Sequence, residues 1–307
     1  MAENQEAMIA ETPTIPTPKS GKRHPRPFAG ILYAQLETLQ AYHRIVMGSD
    51  EPEGIHKMRV TTRRAQASLD LLEGAIKVRP MKKKLRKWRQ ELSLVRNYDV
   101  FLDLIDAEAA RVRVAARPQF ELVKEALQKK RARRVKKVRA RLRKIKINKI
   151  AGKLGFTLQT DGSHALDRAA TEADSLAAAK RDEGELRESF PVSEQAIAAR
   201  AAERLEQRMA EFQALAAQSH PATAAAELHQ LRIAAKRVRY LMEIISEMGY
   251  GSATRALAWL RNLQDRIGDW HDLEAIEQEI IKIVSADGFL QAHIIEGSRM
   301  LQAAAHL

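Results

Sequence analysis

The chain has 307 residues, 45% of them hydrophobic, a formal net charge of +13 and no cysteine. That apolar content is enough for a real core, so a wholly disordered polycation is excluded, as are disulfides, thiolate catalysis and the usual zinc ribbons. No apolar run approaches the ~20 residues a membrane helix needs, and the start lacks a basic stretch leading into an apolar one, so membrane insertion and secretion are not expected and the chain reads as cytoplasmic.

Residues 1–27 hold five of the ten prolines and proportionately few apolar side chains, and read as a flexible tail. The remaining prolines, Pro52, Pro80, Pro118, Pro191 and Pro221, each sit just ahead of a long stretch rich in Ala, Leu, Glu, Arg and Lys. Proline is tolerated in a first helical turn, so these are helix starts. The pattern predicts helices over roughly 28–47, 52–76, 80–95, 97–116, 118–148, 164–181, 191–217, 222–247, 252–267, 270–285 and 287–305. Alternating runs with hairpin turns are missing, so the fold class is all-α. Residues 149–190 hold four glycines and read as a linker with one short helix, between a first half (28–148) and a second half (191–307).

The positive charge is concentrated. From Lys124 to Lys149 there are fourteen Lys/Arg and one acidic residue, Glu125, so this window carries the whole excess. Val135, Val138, Leu142 and Ile145 give it an apolar seam, which makes it a helix with one apolar side. Like charges four apart, as at Arg133–Lys137 and Lys137–Arg141, repel by about 0.2–0.5 kcal/mol each. Packing or a bound polyanion must offset that.

The chain also repeats itself. His56-Lys-Met-Arg-Val-Thr-Thr-Arg-Arg64 resembles His229-Gln-Leu-Arg-Ile-Ala-Ala-Lys-Arg237 at an offset of 173. The same offset carries Leu69 to Leu72 onto Met242 to Ile245, Asp99-Val100 onto Asp272-Leu273, and Leu32, Leu36 and Leu39 onto Leu205, Met209 and Phe212. A constant offset over about seventy residues argues for two related helical halves. The distal basic segment has no counterpart in the second half.

Within the first motif, Met58, Thr62, Ala65, Leu69, Leu72 and Ile76 form an apolar seam, and His56, Arg59 and Arg63 lie on the adjoining stripe. The second motif repeats this with Leu231, Ala235, Val238, Met242 and Ile245 beside His229, Arg232, Lys236 and Arg239. No acidic partner follows on either stripe until Asp70 and Glu243. A cationic row flanking a buried seam is costly unless water or an anion compensates it, so the rows are built to face anions. A solvated basic face is the bland alternative, and duplication weakens it. Neither histidine has a second ligand at i+3 or i+4, so no metal or other cofactor is expected.

His-x-x-Arg-(x)3-(Arg/Lys)-Arg, duplicated in a cysteine-free helical chain, resembles the CHAD family of histidine-centred α-helical domains. Arg96-Asn-Tyr-Asp99-Val100 and Gly268-Asp-Trp-His-Asp272-Leu273 resemble that family's second motif, and the likeness covers roughly residues 28–305. It implies two four-helix-bundle-like halves, related by a pseudo-twofold axis, around a basic central cleft that binds inorganic polyphosphate. Carried over residue by residue, the anion-binding candidates are His56, Arg59, Arg63, Arg64, His229, Arg232, Lys236, Arg237 and Arg239. Gln66 opposite Arg239 and Tyr98 opposite His271 depart from strict equivalence. Arginine offers phosphate a planar fork of donors and lysine a compact charge. Arg131 and Arg134 of the basic helix are expected to face the cleft, with Arg133, Lys137 and Arg141 extending it outward. Asp99 and Asp272 would orient cations.

The expected function is therefore non-catalytic polyphosphate binding, with targeting to polyphosphate granules as a corollary. Nucleic-acid backbone binding through 124–149 is the alternative, disfavoured because that segment has no aromatic residue to stack on bases. His271-Asp272 leaves a metal-dependent phosphohydrolase as a second alternative, but it stands alone and no phosphate-cradling glycine loop accompanies it.

Overall fold

The computed structural model describes residues 25–111, 117–156, 190–219 and 225–293, with isolated positions beyond. Among the described residues there is no β-strand, and the regular structure is helical. Helices α1 (Phe28–Gly48), α2 (Pro52–Leu71), α3 (Arg79–Arg111) and α4 (Arg117–Leu142) pack in succession, and α1 also meets α4, closing a bundle. The short α5 (Ile147–Gly152) lies against α1. Then come α6 (Glu194–Gln218), α7 (Ala225–Glu247), α8 (Thr254–Val284) and the short α9 (Asp287–Ala292), again packed in succession from α6 to α9. Helix α2 also packs on α6 and α7, and α8 packs on α3 and α4.

The apolar seams are where the spacing puts them. Met58, Thr62, Ala65, Leu69 and Leu72 are fully buried on the first motif, and Leu231, Ala235, Val238 and Met242 are buried on the second. Val135, Val138 and Leu142 anchor the basic helix in the same core as Leu32, Leu36 and Leu39. A second cluster joins Phe101 and Ile105 of α3, Val123 and Leu127 of α4, and Ile276, Ile280 and Ile283 of α8. A third joins α6, α7 and the first part of α8 around Phe212, Ala235 and Leu260.

Several boundaries differ from the sequence expectation. The two helices predicted over 80–95 and 97–116 are one, α3, and those over 252–267 and 270–285 are one, α8. Neither Arg96 nor Gly268 is a stop, since no proline follows and the apolar stripe continues across each. Helix α2 ends at Leu71, and the chain reverses through Gly74 at φ 96°, a left-handed conformation that only glycine adopts readily. Helix α4 ends at Leu142, where His43 of α1 donates to the freed Leu142 carbonyl at 3.0 Å, and what was read as the start of a linker is α5. The predicted helix 164–181, most of the tail and most of 287–305 lie outside the described residues.

Candidate functional site

Helix α2 runs across α7, and each presents its cationic stripe toward the other. Arg63 of α2 acts electrostatically on both Arg232 and Lys236 of α7, and Arg59 acts on Lys236. The two His–Arg rows thus meet in one cluster. A third helix joins it: Arg96 of α3 bears on His56 and Arg59, and Arg89 lies within reach of Arg63 and Arg237. Neither Arg89 nor Arg96 is among the anion-binding candidates read from the sequence, although Arg96 opens the first copy of the second motif. Their signal was present, since residues seven apart fall on one face of a helix and here that face turns to α2.

Burial and crowding depress the proton affinity of Arg59, Arg89, Arg232, Lys236 and the two histidines. Burial, then Arg63, pushes the Arg59 guanidinium down to about 10. Lys236 falls to about 6, through burial first and then Arg63, Arg232, Arg59 and Arg239. Arg232 is lowered by burial but supported by Asp272, Asp265 and Asp269 of α8. Burial lowers both histidines as well: His56 also feels Arg96 and Arg59, and His229 feels His271 and Arg232. The His229 and His271 rings lie 5.2 Å apart.

Unmet hydrogen-bonding capacity marks the same side chains. Nδ1 of His56, Nδ1 of His229, Nε of Arg59 and Nε of Arg232 are all buried without a partner among the described residues. These are two pairs at equivalent positions of the repeat. Buried polar nitrogens normally find a partner, so four of them on these two rows point to an external one. Among the described residues no carboxylate lies within 4 Å of Arg59, Arg63, Arg232 or Lys236.

Both rows terminate on an acid. At the end of the α7 row Glu243, only 9% exposed, accepts from Arg239 at 2.8 Å and lies 3.5 Å from Arg64 and 3.8 Å from Arg261. Arg239 also donates to Gln264 at 3.0 Å, and Arg237 lies 3.7 Å from Glu211 of α6. Arg64, Arg237 and Arg239 are therefore partnered within the protein, unlike the centre of the cluster. At the end of the α2 row Asp70 pairs with Lys82 of α3. Gln66, the counterpart of Arg239, accepts from Arg89 at 2.8 Å.

The basic helix divides between two surroundings. Arg131 donates through Nε to Asp99 at 2.6 Å, and through Nη2 to the Asp50 carbonyl at 2.7 Å. Asp99 is 2% exposed; burial pushes its carboxyl up, and Arg131 and Arg96 pull it back. Because Arg96 also bears on His56, Arg131 sits at one end of the cluster. Arg133 and Lys137 do not join it. They lie about 160° and 120° round α4 from Arg131 and are exposed. Arg134 is half-buried and has no ionic partner among the described residues. Arg141 pairs with Glu91 of α3. Intramolecular acids, Asp106 for Lys124, Glu279 for Lys130 and Asp50 for Arg139, offset much of the repulsion on this helix.

Asp272, the repeat counterpart of Asp99, supports Arg232, while His271 lies 3.9 Å from Glu274. Among the described residues no group of three His, Asp or Glu is placed to hold a metal ion, and no helix is long and apolar enough to cross a membrane.

A solved structure shares this fold. A crystal structure of the CHAD domain from the plant Ricinus communis is similar, with a TM-score of 0.56 at 19% identity, covering 92% of this chain and 85% of that one. PptA from Streptomyces chartreusis aligns with a TM-score of 0.44 at 17% identity over 91% of this chain and 95% of its own. No curated protein sequence matched. The CHAD domain family profile matches residues 30–280, which include α2, α3, α7 and nearly all of α8. The chain belongs to the CHAD domain family.

Proposed function

We propose that the chain binds inorganic polyphosphate, without turning it over, in the cleft where the rows of α2 and α7 meet α3. The observation that carries this reading is the convergence of Arg59, Arg63, Arg232 and Lys236 with no carboxylate within 4 Å of them among the described residues, beside buried Nδ1 atoms of His56 and His229 that lack hydrogen-bond partners. A linear chain of phosphates has no base edge to read, so a lined cationic groove suffices to recognise it. His56, Arg59, Arg63, His229, Arg232 and Lys236 form the centre of the proposed site, with Arg89, Arg96 and Arg131 continuing it along α3 and α4. Arg64, Arg237 and Arg239 form its partnered margin. Such a protein would work in the cytoplasm, on polyphosphate granules.

One observation favours a second reading. The outer face of α4 keeps Arg133, Arg134 and Lys137 without ionic partners among the described residues, and such a face suits a nucleic-acid backbone. Direct competition separates the two: polyphosphate against DNA or RNA at equal phosphate equivalents, across salt concentrations. Polyphosphate should win, and reversal at Arg59 and Arg232 should abolish its binding while reversal at Arg133 and Lys137 weakens it only modestly. Nucleic acid winning, or the opposite mutational pattern, overturns the cleft assignment. Sustained phosphate release with divalent metals would show an enzyme instead.

A further inference from the structure

Lys236 is ringed by like charge from two helices. Arg59 and Arg63 face it from α2, and Arg232 and Arg239 from its own helix. Helix α3 adds Arg96 behind Arg59 and Arg89 behind Arg63. The acids nearby are engaged elsewhere: Glu243 holds Arg239, and Asp265, Asp269 and Asp272 of α8 support Arg232. No carboxylate lies within 4 Å of the lysine among the described residues. At the other end of each row His56 and His229 carry buried Nδ1 atoms without partners.

So many cationic groups cannot all keep their protons in a half-buried groove. Arginine holds its proton far more tightly than lysine or histidine, so the lysine and the histidines yield. We propose that the cleft of the free protein is held short of protons, and that a polyanion draws them from solvent as it docks, first onto Lys236 and then onto His56 and His229. This rests on the polyphosphate reading and adds to it that protons are co-ligands. The depressed proton affinities of these three groups agree with the geometry.

The sign follows from linkage. A base whose pKa lies low in the free protein and is raised by the bound anion takes up a proton between the two values, so affinity is highest in mild acid. Above the free-state pKa it falls about tenfold per pH unit for each proton taken up. Lys236, at about 6 in the free protein, puts that decline across neutral pH. The site would load in slightly acidic surroundings and release in alkaline ones.

Titration calorimetry of the full chain with long-chain inorganic polyphosphate, at pH 8 in buffers of different ionisation enthalpy, tests this. Uptake of about one proton per site is expected from the lysine, with affinity about tenfold weaker at pH 8 than at pH 7. Lys236→Arg, which retains the charge, should take up about one proton fewer and show a flatter pH profile. Subtracting the two also removes any titration of the polymer itself. Wild-type binding with buffer-independent enthalpy and a flat profile overturns the proton coupling and leaves the polyphosphate reading standing. No binding between pH 6 and 9 sinks both. Independently of ligand, NMR of the free protein should show Lys236 titrating apart from the surface lysines; a Lys236 that titrates with them overturns the inference.

Discussion

The backbone of Gly268 lies directly against Arg232: a Cβ placed on that glycine would fall 2.6 Å from the guanidinium Nη2. A glycine in mid-helix costs about 1 kcal/mol relative to alanine, so its place in α8 is paid for by the room it leaves to the cation. Gly268→Ala should preserve or slightly raise thermal stability, since the atom met is the far end of a flexible side chain. It should weaken polyphosphate binding roughly tenfold by turning Arg232 aside, on the scale of one charge-assisted hydrogen bond. Circular dichroism melts beside binding isotherms check both; a variant that binds like wild type removes Arg232 from the site.

The Asp99–Arg131 pair yields a prediction about stability. Removing one partner of a buried ion pair leaves the other uncompensated, typically at about 3–5 kcal/mol. Arg131→Ala should be destabilising on that scale in urea titrations. The double replacement Asp99→Asn with Arg131→Met should recover a good part of the loss, because neither charge is then stranded.

Lys236 ties stability to pH. Its ammonium holds a proton less tightly folded than unfolded, so between about pH 6 and lysine's ordinary value near 10.4 the unfolded chain binds more protons. Stability of the free protein should therefore rise with pH through that window and lose this slope below it. Lys236→Met should flatten the rise and raise the melting temperature at pH 6–7 by a few degrees, at about 2–4 °C per kcal/mol for a chain of this size. Melting temperatures of both proteins across pH 6–9 are the check.

Glu243 already occupies Arg64, Arg239 and Arg261 as an internal anion, so a polymer entering the proposed groove would meet satisfied cations there. Glu243→Gln should release them, tighten binding several-fold and increase the number of phosphates protected per protein, measurable by footprinting with a polyphosphatase. If the variant fails to fold, the carboxylate is a structural counter-ion instead.

Much of this arrangement is legible in residue spacing. The seams through Met58 and Val238 follow the helical period closely enough that spacing alone places the His–Arg rows beside the core. The offset of 173 then pairs those rows. What spacing cannot supply is partnership across helices. That Asp99 takes Arg131, or that Glu279 takes Lys130, depends on how α3 and α8 lie against α4, and nothing in the run of basic residues records it. The breaks expected at Arg96 and Gly268 fail for a related reason. Each is a local weakness, whereas packing on both flanks carries the helix through.

The continuity of α3 and α8 has a mechanical consequence. Arg96 and Gly268 stand on rods whose far ends are clamped in the cluster of Phe101, Ile105, Ile276 and Ile280, about 8–18 Å away at the helical rise. The jaws of a caliper are set at its pivot. The aperture offered to a polymer should therefore be adjustable from a place the polymer never touches, by trimming an isoleucine there.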